Sequence, residues 1–326
     1  MKSPIFLFSL PRSGSTLLQR VLMSHIDVAS VAEPWLMLPF SYAYKREGVL
    51  TEYAHSVSYA AFEDFIGNLP NKEDDYYDAL SIFANTLYEK QCSHNEKYFL
   101  DKTPRYYYII PEIAKIFPDA KFIFLFRNPV HVMSSMMQTW SNGRFKKMYN
   151  YERDLYYGPQ ALSDGYELLK NKSFAIKYED FVQNPYKYTK EICDYLEIDF
   201  DENMLINFAS QNTKGRMGDP TGVKEYKSVD TKSLEKWKNT FNTNFRKKYI
   251  KKYIKLLDEK ILEIQGYNKQ KILNEIDNIS PKNKLTIMQD IVDVIDIYYS
   301  NLVRLIKPNI WFGKQTKKWA RKRYLS

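Results

Sequence analysis

Between two apolar runs, residues 6–22 (FLFSLPRSGSTLLQRVL) gather Pro11, Arg12, Ser13, Gly14, Ser15 and Thr16 into one short turn. A strand that turns at glycine into a helix aims unpaired backbone N–H groups and the positive helix end at one point, where an anion binds. Ser13, Ser15 and Thr16 add hydroxyl donors, Gly14 admits close approach to the backbone, and Arg12 supplies a forked cation. An ordinary turn and helix cap would use the same hydroxyls, but arginine beside glycine favours an anion cradle. A nucleoside-triphosphate loop ends in Gly-Lys-Ser/Thr and works with magnesium. Here Ser15 follows Gly14, and the apolar run 122–126 ends in Arg127 and Asn128 where a metal-holding carboxylate would be expected. The expected chemistry is arginine-based anion binding with no metal.

The elements that must position this turn are legible as alternating runs. Residues 4–10, 98–100, 121–126 and 174–177 read as buried parallel strands. Residues 16–23, 106–117, 130–139 and 186–196 carry apolar side chains at helical spacing after them, which predicts an α/β fold with a central parallel sheet. Residues 40–96 read as a helical insertion, broken at Leu69-Pro70-Asn71 and reopened at Asp74-Asp75, that covers the site; residues 140–172, rich in Tyr and basic groups, would cover it from the other side. From residue 268 the composition shifts to Lys, Asn, Ile and Asp, and Ser280-Pro281 would cap a last amphipathic helix. The expected division is a domain of residues 1–267 and a helical C-terminal extension of residues 268–326 with a basic tail.

The formal net charge of +9, from 48 Lys and Arg against 39 Asp and Glu, favours anionic partners. The two cysteines, Cys92 and Cys193, have no metal-type spacing and suit a reducing compartment, so the expected location is the cytoplasm. The apolar stretch 5–10 is too short for a signal peptide, and 285–306 is interrupted by Asp290, Asp293, Asp296 and Arg304, so no membrane span is expected. From Lys307 onward seven cations and no acid are interleaved with Trp311, Phe312, Trp319 and Tyr324, a pattern for the surface of an anionic membrane or for a solvated or subunit-packing tail.

Four segments in order resemble the sulfotransferases that use 3′-phosphoadenosine 5′-phosphosulfate (PAPS), in the branch that includes bacterial, carbohydrate and tyrosylprotein enzymes. Residues 8–18 resemble the 5′-phosphosulfate loop, and residues 117–138 (FPDAKFIFLFRNPVHVMSSMMQ) the 3′-phosphate element, in which Arg127 is followed eight positions later by Ser135. Residues 176–196 (IKYEDFVQNPYKYTKEICDYL) resemble the family's Tyr-Glu-Asp segment, and 218–237 (GDPTGVKEYKSVDTKSLEKW) its nucleotide-covering loop. The resemblance spans about residues 4–267 and implies a P-loop-like three-layer fold with a central parallel sheet, helical insertions and, here, a helical appendage. It implies that Arg12, Ser13, Gly14, Ser15 and Thr16 bind the 5′-phosphosulfate, with Arg12 a catalytic residue that stabilises the developing charge, and that Lys102, in FLDKTPRYY, contacts the bridging oxygen and helps the leaving group depart. It also implies that Arg127, Ser135 and Lys227 hold the 3′-phosphate and that Tyr178 lies near the adenine.

The general base is where the sequence departs from the small-molecule enzymes, which carry Lys-Thr-His at the position of Lys102-Thr103-Pro104. Glu33, 21 positions beyond Arg12 in VASVAEPW, resembles the catalytic glutamate of the tyrosylprotein branch. Burial beside Val31, Pro34 and Trp35 would raise its pKa for that task; a surface or capping Glu is the plainer alternative. His25 and His131 read as structural. The expected reaction is in-line transfer from PAPS to a hydroxyl of a carbohydrate or glycolipid. A peptide tyrosine is the alternative, with Arg105, Arg144, Lys146 and Lys147 as a basic acceptor cleft, and a non-catalytic nucleotide- or anion-binding protein is the alternative of another class. No nucleic-acid motif appears.

Overall fold

The computed structural model describes residues 1–211, 213–215, 217, 228–280 and 286–295. Strands β1 (Ser3–Ser9), β2 (Val28–Ser30), β3 (Tyr98–Asp101), β4 (Lys121–Phe126) and β5 (Ser173–Lys177) form one sheet in the order β2-β3-β1-β4-β5. Every pairing is parallel, with Ile5 beside Lys121 and Ser3 beside Tyr98. The four expected strands are present and β2 is an addition. Three residues at a sheet edge, with only Val28 fully buried, are too few to show a strand pattern in the sequence.

The period of two along each strand divides the core into two layers. Phe6, Phe8, Phe99, Phe122 and Phe124 point to one face, where Phe6 and Phe8 stack on Phe122 with ring centres 6.3 and 6.1 Å apart. Ile5, Leu7, Leu100, Ile123 and Leu125 point to the other. Helix α1 (Ser15–Leu22) packs Leu17, Leu18, Val21 and Leu22 on the aliphatic face. The insertion between β2 and β3 forms α2 (Met37–Ala43), α3 (His55–Gly67) and α4 (Glu73–Gln91), and α4 sets Tyr77, Leu80, Ala84 and Tyr88 on the aromatic face. The expected helix 106–117 is two pieces, a 3₁₀ turn Pro104–Tyr108 and α5 (Ile110–Ile116), because Pro111 has no N–H to continue a helix from the turn before it.

After β4 come α6 (Pro129–Ser141) and α7 (Gly158–Leu169), and after β5 come α8 (Tyr178–Gln183) and α9 (Pro185–Leu196). The aliphatic face is completed by Ile192, Cys193 and Leu196 of α9. A third cluster joins Val130, Met133 and Met137 of α6 to Trp237, Phe241, Ile250 and Ile254, and helix Lys269–Asp277 inserts Ile272 and Ile276 into it. Residues 286–295 form one more helix. Among the described residues no helix is long and apolar enough to cross a membrane. Pro281, Lys227 and the tail from residue 296 lie outside the described residues.

Candidate active site

Parallel strands carry all their carboxyl ends to one edge of the sheet, and ligands of open α/β sheets bind there. Arg12 follows β1, Glu33 follows β2, Lys102 follows β3, Arg127 follows β4 and Tyr178 follows β5. These five side chains named from the sequence thus arise from the ends of five neighbouring strands.

The loop after β1 closes tightly, with Ser13 N donating to Leu10 O at 3.2 Å and Leu17 N to Gly14 O at 3.0 Å. Helix geometry leaves the first amides of α1 without intrahelical acceptors, and Ser13, Ser15 and Thr16 are buried around them. Gly14 has φ 89°, and a Cβ there would stand 2.3 Å from the Tyr178 ring, so the loop is seated on the tyrosine that follows β5. Gly14→Ala should therefore lower the melting temperature and weaken nucleotide binding together. The backbone strain alone costs about 1–3 kcal/mol, before the ring is displaced.

Arg127 ties the loop to the same tyrosine. Its guanidinium lies 4.2 Å from the centre of the Tyr178 ring, and Nη1 donates to Arg12 O at 2.9 Å. That carbonyl belongs to a residue at φ 68°, in the left-handed region. The side chain of Arg12 turns to α6, with Nε donating to Ser135 Oγ at 3.2 Å and Nη2 to Thr139 Oγ1 at 3.1 Å. Arg127 Nε is buried and has no protein partner among the described residues. A buried guanidinium with a donor to spare, next to a serine and a second arginine, fits a phosphate dianion. Tyr178 is held by a 2.9 Å hydrogen bond with Ser233. Glu179 then locks β4 to β5 by accepting from Asn128 N at 3.1 Å and Tyr267 Oη at 2.7 Å. His131 stacks on Trp237, with ring centres 5.6 Å apart, and stands 3.1 Å from Glu179 Oε1, while His25 bonds Asp199 O.

Lys102 and Glu33 form the other half. The lysine is buried, and Nζ donates to Glu33 Oε1 at 2.8 Å and to Thr16 Oγ1 at 3.4 Å. Glu33 Oε2 accepts from Trp35 Nε1 at 3.2 Å. In place of the expected apolar sleeve, Glu33 has one cationic and one neutral donor. The segment carrying it is fixed from two sides. Gln19 Nε2 donates to Ser30 Oγ and Val31 O at 2.8 and 2.7 Å, and Trp35 N donates to Thr103 Oγ1 at 3.2 Å.

Behind Lys102, Asp101 is fully buried and accepts from Tyr88 Oη at 2.7 Å, Tyr106 Oη at 2.9 Å and Thr103 Oγ1 at 3.1 Å. Burial pushes its carboxyl up to about 6, against the opposing pull of these three donors and Lys102. A raised carboxyl binds more protons folded than unfolded, so the contribution of this one group to stability is greatest at acid pH and is lost as pH rises toward about 6. Between about pH 4 and pH 7, wild type should lose roughly 3 kcal/mol relative to Asp101→Asn, measured by denaturant unfolding at each pH.

Of the four basic residues expected to form an acceptor cleft, two are engaged inward. Arg105 donates to both oxygens of buried Asp154, at 3.1 and 2.8 Å, and Tyr107 Oη donates to the same carboxylate at 2.6 Å. Arg144 Nε donates to Asp293 Oδ1 at 2.5 Å, and Lys146 N lies 3.5 Å from Asp293 Oδ2. Thr139 and the partners of Asp101 and Glu179 escaped attention in the sequence. Only Thr139 carried a usable signal, since it lies four residues beyond Ser135 on the same helical face.

Residues 4–202 match the model of the sulfotransferase family. The nodulation protein NoeE of Sinorhizobium fredii is 32% identical over 136 residues, 41% of this chain and 31% of that protein, so the match spans about a third of NoeE's length. A putative protein-tyrosine sulfotransferase of Caenorhabditis briggsae is 23% identical over 256 residues, covering 75% of this chain and 84% of the relative. The sulfotransferase domain from the curacin biosynthetic pathway superposes with a TM-score of 0.52 at 22% identity, over 74% of this chain and 92% of that domain, and so has the same fold. With its anion loop and paired arginines at the carboxyl edge of a parallel sheet, the chain belongs to the sulfotransferase family.

Proposed function

We propose that the protein is a cytoplasmic enzyme that moves the sulfuryl group of PAPS to a hydroxyl of a carbohydrate or glycolipid, with Glu33 as general base. The observation that carries this reading is the position of Lys102, whose single ammonium group reaches both Thr16 of the anion loop and Glu33. PAPS, when bound, supplies a sulfuryl group whose leaving group is a phosphate. The first amides of α1 and the hydroxyls of Ser13, Ser15 and Thr16 would hold that phosphate, and Lys102, 3.4 Å from Thr16 Oγ1, would stabilise negative charge growing beside them. Glu33 takes the proton of the acceptor hydroxyl on the side of the lysine away from the loop. Arg127 and Ser135 hold the 3′-phosphate, the side chain of Arg12, which bonds Ser135 and Thr139, joins them there in place of its expected role at the 5′-phosphosulfate, and Tyr178 orients the adenine end. Lys227 is assigned to the same phosphate from its sequence context alone.

The acceptor assignment draws on the surface next to Glu33. Trp35, which donates to Glu33, has Arg105 6.0 Å from its ring centre, and beyond, over buried Tyr107, lie Tyr108 and Tyr157 with ring centres 5.7 Å apart. Aromatic faces with polar edges suit a sugar. Neutralisation of Arg105 and Arg144 by buried aspartates removes cations that an acidic tyrosine peptide would need. The relative named as a protein-tyrosine sulfotransferase supports the peptide reading in its place. Mass spectrometry of reactions with PAPS and parallel panels of oligosaccharides, glycolipids and tyrosine peptides separates the two. Sulfation confined to peptides overturns the acceptor assignment. Failure of the folded protein to bind 3′-phosphoadenosine 5′-phosphate (PAP) in a calorimetric titration overturns the enzyme assignment as a whole.

A further inference from the structure

The helix of residues 286–295 is built with its charged side inward. Asp293 is fully buried against Arg144, and Asp290 is buried against Arg246, whose Nε donates to Oδ1 at 2.8 Å, while Thr243 Oγ1 donates to Oδ2 at 3.1 Å. These pairs fix the rotation of the helix, since turning it would strand buried charges on both partners. The side left outward carries Ile287, Met288, Ile291, Val292, Val294 and Ile295, with Met288 70% and Ile295 60% exposed. At about 100° per residue the six fall on one unbroken arc, which no acidic or basic side chain interrupts. Phe245, between the two residues that hold Asp290, is also exposed. An apolar face of this kind on a water-soluble fold marks an interaction surface.

The chain that continues from this helix indicates the partner. The helical spacing of apolar residues persists in the sequence through Tyr298, Leu302, Leu305 and Ile306. Lys307, Lys314, Lys317, Lys318, Arg321, Lys322 and Arg323 follow, with Trp311, Phe312 and Trp319 between them and no acid. Apolar residues on one side of a helix, their own acids turned away and paired, then a run of cations with tryptophans, match the chemistry of a bilayer surface rich in anionic headgroups. A second copy of a chain of net charge +9 would bring like charge against that run. We infer that the outward face of helix 286–295 docks the protein peripherally on anionic lipid by entering the headgroup boundary, the cations that follow in the sequence matching the charge of the headgroups. The surface includes none of the nucleotide- or acceptor-site residues.

Flotation of the full chain with vesicles of phosphatidylcholine, alone or mixed with phosphatidylglycerol, tests this. Wild type should float with the mixed vesicles and not with phosphatidylcholine alone, and less so as salt rises. The triple replacement Ile287→Gln, Ile291→Gln, Ile295→Gln, at exposed positions, should weaken binding by about tenfold or more. Lys317→Gln, Lys318→Gln, Lys322→Gln should do the same, and both variants should keep wild-type PAP affinity as the check of folding. Absence of binding to the mixed vesicles, or binding that the isoleucine replacements leave intact, overturns the proposal. So does a sedimentation dimer that those replacements dissociate, which would assign the face to a second copy.

Discussion

Glu33→Gln should lower kcat for sulfuryl transfer by about 10²- to 10⁴-fold, the range over which a positioned base acts, while PAP affinity changes by less than about threefold. The substitution is close to isosteric. A glutamine Oε1 still accepts from Lys102 Nζ, so the buried lysine keeps a partner and the segment pinned by Gln19 and Thr103 has no reason to move. What disappears is the capacity to hold a proton. Lys102→Ala is a less clean experiment, because it strands Glu33 beside a cavity and removes the donor to Thr16 at once. The two variants should therefore separate. Glu33→Gln loses kcat with KM for PAPS preserved, whereas Lys102→Ala loses kcat and stability together. A Glu33→Gln enzyme within about threefold of wild-type kcat would leave Glu33 as no more than the counter-ion of Lys102.

How much of this site could be read from residue order follows from what each part depends on. The proposed anion loop is local: Arg12, Gly14 and the three hydroxyls lie in one backbone turn of six consecutive residues, Pro11 to Thr16, and the strands before Lys102, Arg127 and Tyr178 are apolar runs of ordinary length. Strand β2 was missed because it has three residues and takes its identity from pairing with β3. The partners were missed for the same kind of reason. Glu33 meets Lys102 across 69 residues and Arg105 meets Asp154 across 49, separations over which no periodicity reports. The helix of residues 286–295 shows the limit most plainly. Its amphipathic pattern is visible in sequence, and pattern alone would turn the isoleucines inward. The observed rotation is set by Arg144 and Arg246, which lie on other segments.

Arg127→Ala should weaken PAP binding by about 100-fold, the largest loss expected of any single residue at the nucleotide end. Each hydrogen bond to a charged group contributes about 1.5–3 kcal/mol, and a guanidinium stacked on an aromatic ring adds about 0.5–2 kcal/mol of restraint. Arg127 acts through both. Its stacking on Tyr178 fixes the plane of the fork, Nη1 holds the carbonyl of Arg12 in its left-handed turn, and the buried Nε is left over for the ligand. Arg127→Lys should recover only part of the affinity, because an ammonium group keeps the charge but has no planar fork to lie along the ring and reach both acceptors. Ser135→Ala removes one hydroxyl from the same end and should cost about tenfold. Calorimetry with PAP and with adenosine 5′-phosphate, which lacks the 3′-phosphate, completes the comparison. If Arg127 binds that phosphate, the Ala variant should lose most of the wild-type preference for PAP and keep only the part that Ser135 and Arg12 contribute. If it still prefers PAP as strongly as wild type does, the 3′-phosphate is held elsewhere and Arg127 serves only to brace the loop.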